Sequence, residues 1–445
     1  MSQVQSGNGE LQEEYQEVQI GPEKLEIPEK WTVTTVSDVA SRFISGGTPD
    51  SGNEDYWGGE IPWTTAAVVE GPQFDGEKDF ITREGLENSS ASIVPEGSIL
   101  FGTRVNVANV GRTAKEIAIS QDLTGIVLDE SKVDPDFFTW YLLFNQSKIK
   151  NRYSQGSTIQ GMLTDDLKSL PLISPPLPEQ RRIAEILSTV NEQIQQTDEI
   201  KGKFEELKKG IAQMLLDKGA RSESENEVVV GPLSVSLPES WELRRLENFP
   251  TPASSVVQTG PYGSKLQKEE FTDSGYKIYR QANINSGDFE EGDQYVTEEK
   301  YRDLEKYQVV PGDVLLTRMG TIGDAAVLPD DARKGIMDYH LFRIRIDPSF
   351  CLPEYLSGVL RSSRIVKHQI ESFSHGAIMD GLNTGLINEI RIPVPPTEEQ
   401  REIVDILSTI DQTVSIEEER KTELKQLKRG LMQDLLTGKV RVNTD

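Results

Sequence analysis

The chain has 445 residues, 36% hydrophobic and 27% charged, which is material for two to four domains with their own cores. Asp and Glu number 73 against 47 Lys and Arg, a formal net charge of −26, so long-range attraction to nucleic acid is not built into the totals. One cysteine cannot form an internal disulfide, three histidines make an all-protein zinc cage implausible, and no run of 18 apolar residues could span a membrane. These totals fit a cytoplasmic protein. Net charge governs solubility and field, and a local basic surface can still sit on an acidic chain.

Residues 1–24 are rich in Gln, Glu and Gly and predict a mobile acidic tail, without the basic and apolar regions of a signal peptide. A first globule is expected over 25–177. It opens at LEIPEKW, where Trp31 reads as a core anchor, and continues into a Gly-, Pro- and Asp-rich stretch, ISGGTPDSGNEDYWGGEIPWTT, over 44–65. The turn-and-strand pattern VPEGSILFGTR follows at 94–104, then a strand at 126–129 and a helix over 134–153. Pro175-Pro176 closes the globule, since proline suits the entry to a helix and cannot continue a strand ladder.

A long helix is expected over 178–218. Its apolar seam falls at Ile183, Leu187, Val190 and Ile194, then at Ile200, Phe204, Leu207, Ile211 and Met214, with a polar middle at Thr197. The acidic, Gly-containing run over 219–236 reads as a linker.

The chain then repeats itself. Gln180 and Gln400, Leu187 and Leu407, and Gly210 and Gly430 are each 220 residues apart, too long a period for a solenoid. A second globule is expected over 237–397, with Trp241 matching Trp31, loop QTGPYGSKL, segment YKIYRQANI, strand pattern VPGDVLLTRMGTIG, a strand over 342–347 and a helix over 352–370. A second long helix follows over 398–438, with seam residues Ile403, Leu407, Ile410, Val414, Leu424, Leu427 and Leu431, and then a short tail over 439–445. Each helix would be about 58 Å long, and one apolar stripe on so long a rod must be buried against something. Its own copy is the obvious partner. Connectivity favours an antiparallel pair. The fold class is α+β: two α/β globular domains joined by two long antiparallel helices in a coiled coil, with a pseudo-two-fold internal repeat.

No phosphate-binding GxxxxGK[ST], HExxH or GxSxG pattern occurs, and the many carboxylates have no spacing that pairs them for acid–base work. Binding is therefore the expected activity, with no catalytic residue. Two diverged globules on a helical spacer suit a reader of two unlike DNA half-sites.

GGTPDSGNEDYWGGEIPW, TGPYGSKL and the doubled PPxxEQ-plus-helix passages resemble the specificity subunit of type I restriction–modification enzymes, over residues 27–438. The resemblance implies that each globule is a target recognition domain reading half of a bipartite, asymmetric sequence in double-stranded DNA. It implies that the helices fix the unread gap and dock two modification subunits, which carry S-adenosylmethionine. Restriction subunits would join with ATP and Mg, leaving this chain without a cofactor or metal of its own.

Within the globules, candidate DNA contacts are Arg104 and Arg112 beside one loop and Arg318 in the similar loop of the second half. Arginine there can read guanine, clamp phosphate or serve a structural salt bridge. Lys265, Arg280, Gln281 and Asn283 form a polar cluster of base-edge donors, with loop hydrogen bonding as the alternative. Ser157, Thr158 and Gln160, with Thr64 and Thr65, are candidates in the first half. Lys148, Lys150 and Arg152, and likewise Arg361, Arg364 and Lys367, are the expected phosphate-facing cations. A different class of function stays open: an assembly scaffold whose two heads bind proteins.

Overall fold

The structure, a computed structural model, describes residues 14–20, 23–153, 161–221, 224–230, 233–262, 265–318, 323–376 and 383–443. Two compact units divide the chain. The first combines residues 1–198 with 419–445, and the second is residues 199–418. Each contains one globule and a portion of both long helices, and among the described residues no helix is long and apolar enough to cross a membrane.

In the first unit, a five-stranded sheet runs in the order Ala40–Ser45, Leu123–Leu128, Ile99–Gly102, Val110–Thr113, Gln73–Phe74. Its central strand is buried on both faces, which is why ILFG reads as an unbroken apolar run. Alternation sends Ile99 and Phe101 into a core with Phe137 and Phe138 of helix Pro135–Tyr153. Leu100 faces the other way, into a cluster with Ile117 and Ile119 of a second, four-stranded sheet.

The second unit repeats this logic. Its central strand, Val314–Thr317, lies between Leu341–Ile344 and Ala325–Val327. Val314 and Leu316 pack with Tyr355, Leu356 and Val359, while Leu315 joins Ile336 and Met337 of the second sheet. The helix expected over 352–370 is interrupted: it forms Pro353–Ser362 and Arg364–Gly376. Asp217, at the end of the first long helix, accepts from Ser363 Oγ at 2.7 Å and from Arg364 N at 3.1 Å, so a carboxylate sits on the first free amide of the new helix.

The long helices are Leu177–Lys218 and Thr397–Leu436. Within each unit their segments run antiparallel. In the first, Lys421 pairs with Asp198, and Lys428 Nζ meets Asn191 Oδ1 at 3.0 Å. In the second, Lys201 Nζ reaches Glu418 at 2.6 Å and Lys208 pairs with Asp411. Rising numbers on one helix meet falling numbers on the other.

The seam corrects the expectation in phase. Burial follows an uninterrupted 4-3 spacing through Ile183, Leu187, Val190, Ile194 and Thr197, then Lys201, Phe204, Lys208, Ile211 and Leu215. Leu207 is 50% exposed and Met214 and Ile200 are also exposed, because a constant seven-residue period carries them off the seam. On the second helix Ile403, Leu407, Ile410, Val414, Leu424 and Leu431 lie in the seam, while Leu427 is 51% exposed. Lysines take the inner positions because a long aliphatic stem can be covered while its ammonium reaches a carboxylate or an amide oxygen.

The doubled Glu-Gln at the start of each helix is a clamp. Gln180 accepts from Asp134 N at 2.8 Å and donates to Pro175 O at 2.8 Å; Gln400 accepts from Leu352 N and donates to Pro395 O in the same way. Buried Glu179 and Glu399 each accept a tryptophan indole N–H at 3.0 Å, from Trp31 and Trp241. Glu179 also takes both arms of Arg441, whereas Glu399 accepts from the backbone of Ala220 at 2.9 Å. Gly219 (φ +83°) makes that approach possible, since a Cβ there would lie 2.5 Å from Glu399 Oε1.

Three segments read as tail or linker are structured. Tyr15–Ile20 pairs with Glu23–Pro28, and Glu225–Val230 with Leu233–Pro238, as matching antiparallel strand pairs. Val18, Ile20 and Leu25 pack on the first core, and the alternation in YQEVQI suffices to give the strand a covered face. Arg441 and Val442 dock the segment 439–443 on that same unit.

Candidate nucleic-acid interface

Four chain segments converge at one end of each globule, held by backbone hydrogen bonds of which two are equivalent in the two units, while the third, donated by a glycine, falls on opposite sides of the turn. In the second unit Asp338 N donates to Tyr279 O (2.9 Å), Arg318 N to His340 O (2.8 Å) and Gly260 N to Leu341 O (3.0 Å). In the first, Ser120 N donates to Thr64 O (3.0 Å), Thr103 N to Asp122 O (2.8 Å) and Gly47 N to Ile119 O (2.9 Å). One frame therefore carries two different sets of side chains. Turn Asp338–His340 stands where Ser120–Asp122 stands, and Arg280 follows Tyr279 as Thr65 follows Thr64.

The second unit presents Arg280, Gln281, Arg318, Tyr262, Tyr339 and His340 at this end. Tyr262 is 55% and Tyr339 43% exposed, and the Arg318 guanidinium lies 5.1 Å from the Tyr262 ring centroid. Lys265 donates to Tyr307 Oη at 3.2 Å. Asn283 takes the structural alternative: it is buried, accepts from Arg280 N and donates to Asp288 O and Glu291 O. Lys277, next to these residues, is buried with its ammonium on Glu290 O and Gly292 O at 3.1 Å each. Loss of hydration pushes its pKa below the ordinary lysine value, and its two carbonyl contacts anchor the loop that carries Gln294.

In the first unit Arg104 is exposed at this end, beside Val105. The loop holds Asn106 (φ 51°) and Ala108 (φ 64°) in the left-handed region, so its shape is imposed by its surroundings. Thr48 Oγ1 bonds Gln121, and Asp122 is pinned by Ser120 Oγ and by Ala66 N. The Thr64 and Thr65 hydroxyls are buried without a hydrogen-bond partner among the described residues. Arg112 serves a structural pair: it meets Asp136 at 2.7 Å and donates to Gly97 O. Ser157, Thr158 and Gln160 lie outside the described residues.

The expected phosphate-facing cations are all exposed but divide among faces. Lys148 and Arg152 share a side of their helix, with Lys148 Nζ 3.6 Å from Glu23, whereas Lys150 is turned about 200° from Lys148. Arg361 belongs to the helix before the break at Ser363, and Arg364 and Lys367 to the one after it. Arg361 and Lys367 line a cleft of about 320 Å³ with Gly323, Asp324, Ile370 and Glu371.

Sequence reading missed Asp338, Tyr339, His340, Tyr262 and Asp122. The one available hint was composition, since MDYH holds one of only three histidines. Their convergence is created by strand pairing between segments far apart in the chain.

The family model described as the type I restriction modification DNA specificity domain matches the chain twice, over residues 28–206 and 252–426. The chain belongs to the type I restriction–modification DNA specificity family. As a member it is a DNA-recognition subunit and not itself the catalyst. Among relatives of this specificity subunit, the MjaX specificity subunit of Methanocaldococcus jannaschii is 26% identical, with 97% of this chain and 98% of that one covered. The EcoKI specificity subunit of Escherichia coli K12 is 24% identical, with 85% and 81% covered. The type I S subunit of M. genitalium shares the fold at TM-score 0.53 and 16% identity, over 91% and 96% of the two chains. A chain from a study of type I complex assembly and conformational transition aligns at TM-score 0.57 and 18% identity, over 93% and 99%.

Proposed function

We propose that this specificity subunit reads a bipartite, asymmetric target in double-stranded DNA, one half with each globule. The carrying observation is the shared loop frame bearing unlike side chains: Arg280, Asp338 and His340 in one unit, Thr65, Ser120 and Asp122 in the other. Phosphate contacts by exposed Arg and Lys would position the duplex, and groove-facing side chains on this frame would specify sequence. The long helices set the number of unread bases.

The helices also dock two modification subunits, which supply S-adenosylmethionine and methylate adenine, and through that complex the restriction subunits with their ATP and Mg. Support for two like partners is the repeat itself. The second unit carries exposed Leu207 with Gly210, the first exposed Leu427 with Gly430, and the space around both glycines is open. The complex would act in the cytoplasm, where its DNA is.

The test is to co-express the chain with its modification subunits and map methylated adenines across a genome. The expected result is one motif of two unlike short sequences separated by a fixed gap. A continuous motif, or none with an active methyltransferase, would refute the reading.

A further inference from the structure

Asp338 is almost fully buried, yet two of its contacts are outward-facing side chains. His340 Nδ1 lies 2.9 Å from Asp338 Oδ2, and His340 N donates to Oδ1 at 2.9 Å. Arg280 Nε approaches Oδ2 at 3.4 Å, while Arg280 Nη1 donates to Gln294 at 3.0 Å. The carboxylate thus fixes both a ring and a guanidinium from below. Holding Nδ1 presents Nε2 outward, and among the described residues Nε2 has no hydrogen-bond partner. The exposed Tyr339 ring packs on the imidazole, with centroids 3.7 Å apart, and restricts it further. Anchoring Arg280 through Nε and one Nη1 hydrogen leaves Nη2 and the second Nη1 hydrogen for a base edge, and roughly half of that side chain is exposed.

We infer that Asp338 is the positioning residue of the second half-site: it pre-organises Arg280 and His340 as a pair that reads a guanine-containing step in the major groove. This rests on the DNA-reading function proposed above. Arginine pairs with guanine N7 and O6 through paired donors, and a ring held at one nitrogen offers the other to a neighbouring base edge. Fixing both groups beforehand lowers the ordering cost of binding and sharpens discrimination, because a mismatched base cannot be met by a swing of either side chain. The first unit supports the assignment from within the same chain. Its equivalent turn keeps the backbone bonds at its first and third residues but substitutes Ser120 for Asp338 and Asp122 for His340. The frame repeats while the side chains it carries differ.

The experiment uses the full chain assembled with its modification subunits. Methylated positions are mapped for the wild type, Asp338→Asn, Arg280→Ala and His340→Ala, and kcat/KM is measured on duplexes with single changes in each half-site. All three variants are expected to relax the same one or two positions of the second half, losing roughly 10- to 100-fold discrimination there. The first half stays as selective as before. Asp338→Asn combined with Arg280→Ala should lose little more at the arginine-read position than Arg280→Ala alone. Should Asp338→Asn fail to assemble, Arg280→Lys and His340→Gln carry the same test. The inference is overturned if the second half is unchanged, if selectivity falls in both halves, or if activity drops equally on every sequence. A wild-type motif with no split would instead sink the underlying reading, and this inference with it.

Discussion

At the residue scale, Glu179 and Glu399 show how one motif is used twice with different chemistry. Both receive a tryptophan N–H, but Glu179 also faces the charged Arg441 while the second partner of Glu399 is a neutral backbone amide. A buried carboxylate stripped of its cation is an uncompensated charge. Arg441→Ala should therefore cost the first unit about 3 kcal/mol. A matching fall in the midpoint of thermal or denaturant unfolding would check it, and Glu399→Gln should be tolerated better than Glu179→Gln. These two glutamates, with Gln180 and Gln400, were visible in sequence as a repeated EQ. That they join globule to helix required seeing which amides they meet.

At the element scale, the long helices divide their apolar residues between two jobs. The inner seam keeps a strict seven-residue period by accepting Thr197, Lys201 and Lys208, which a search for apolar residues passes over. Leu207 and Leu427 are left outside, where an apolar side chain gains nothing in the isolated chain. Leu207→Asp and Leu427→Asp should leave folding intact, since neither residue is in a core. Each should remove one modification subunit from the co-purified complex, and the double variant both, read as stoichiometry by analytical ultracentrifugation. Full stoichiometry in the double variant would place the docking face elsewhere. Hydropathy alone assigned these leucines to the seam, because a coiled-coil phase is a property of the paired surface.

At the scale of the whole molecule, the helices are proposed to set the gap between half-sites. Seven residues inserted in each helix, at positions that face one another, preserve the seam phase and lengthen the rod by about 10 Å. The unread gap in the methylation motif should lengthen by roughly one to three base pairs. An unchanged gap with retained activity would remove the helices from that role.

The sequence by itself determined the duplication, the two globules, the long helices and the family. All are written in local periodicity or in motifs that recur at one fixed separation. It also showed Arg104 and Arg318 in loops that follow strands, and Arg280 in a polar cluster with Lys265, Gln281 and Asn283. Only the tertiary structure decided that Arg112 and Asn283 are tied into the fold, that Tyr15–Ile20 pairs with Glu23–Pro28 and Glu225–Val230 with Leu233–Pro238, and that Asp338 and His340 belong beside Arg280. The reason is physical. Periodicity reports which face of an element is covered, but hydrogen-bond partners and the burial of a carboxylate depend on segments brought together from dozens of residues away, as Tyr279 and Asp338 are by a parallel strand pair.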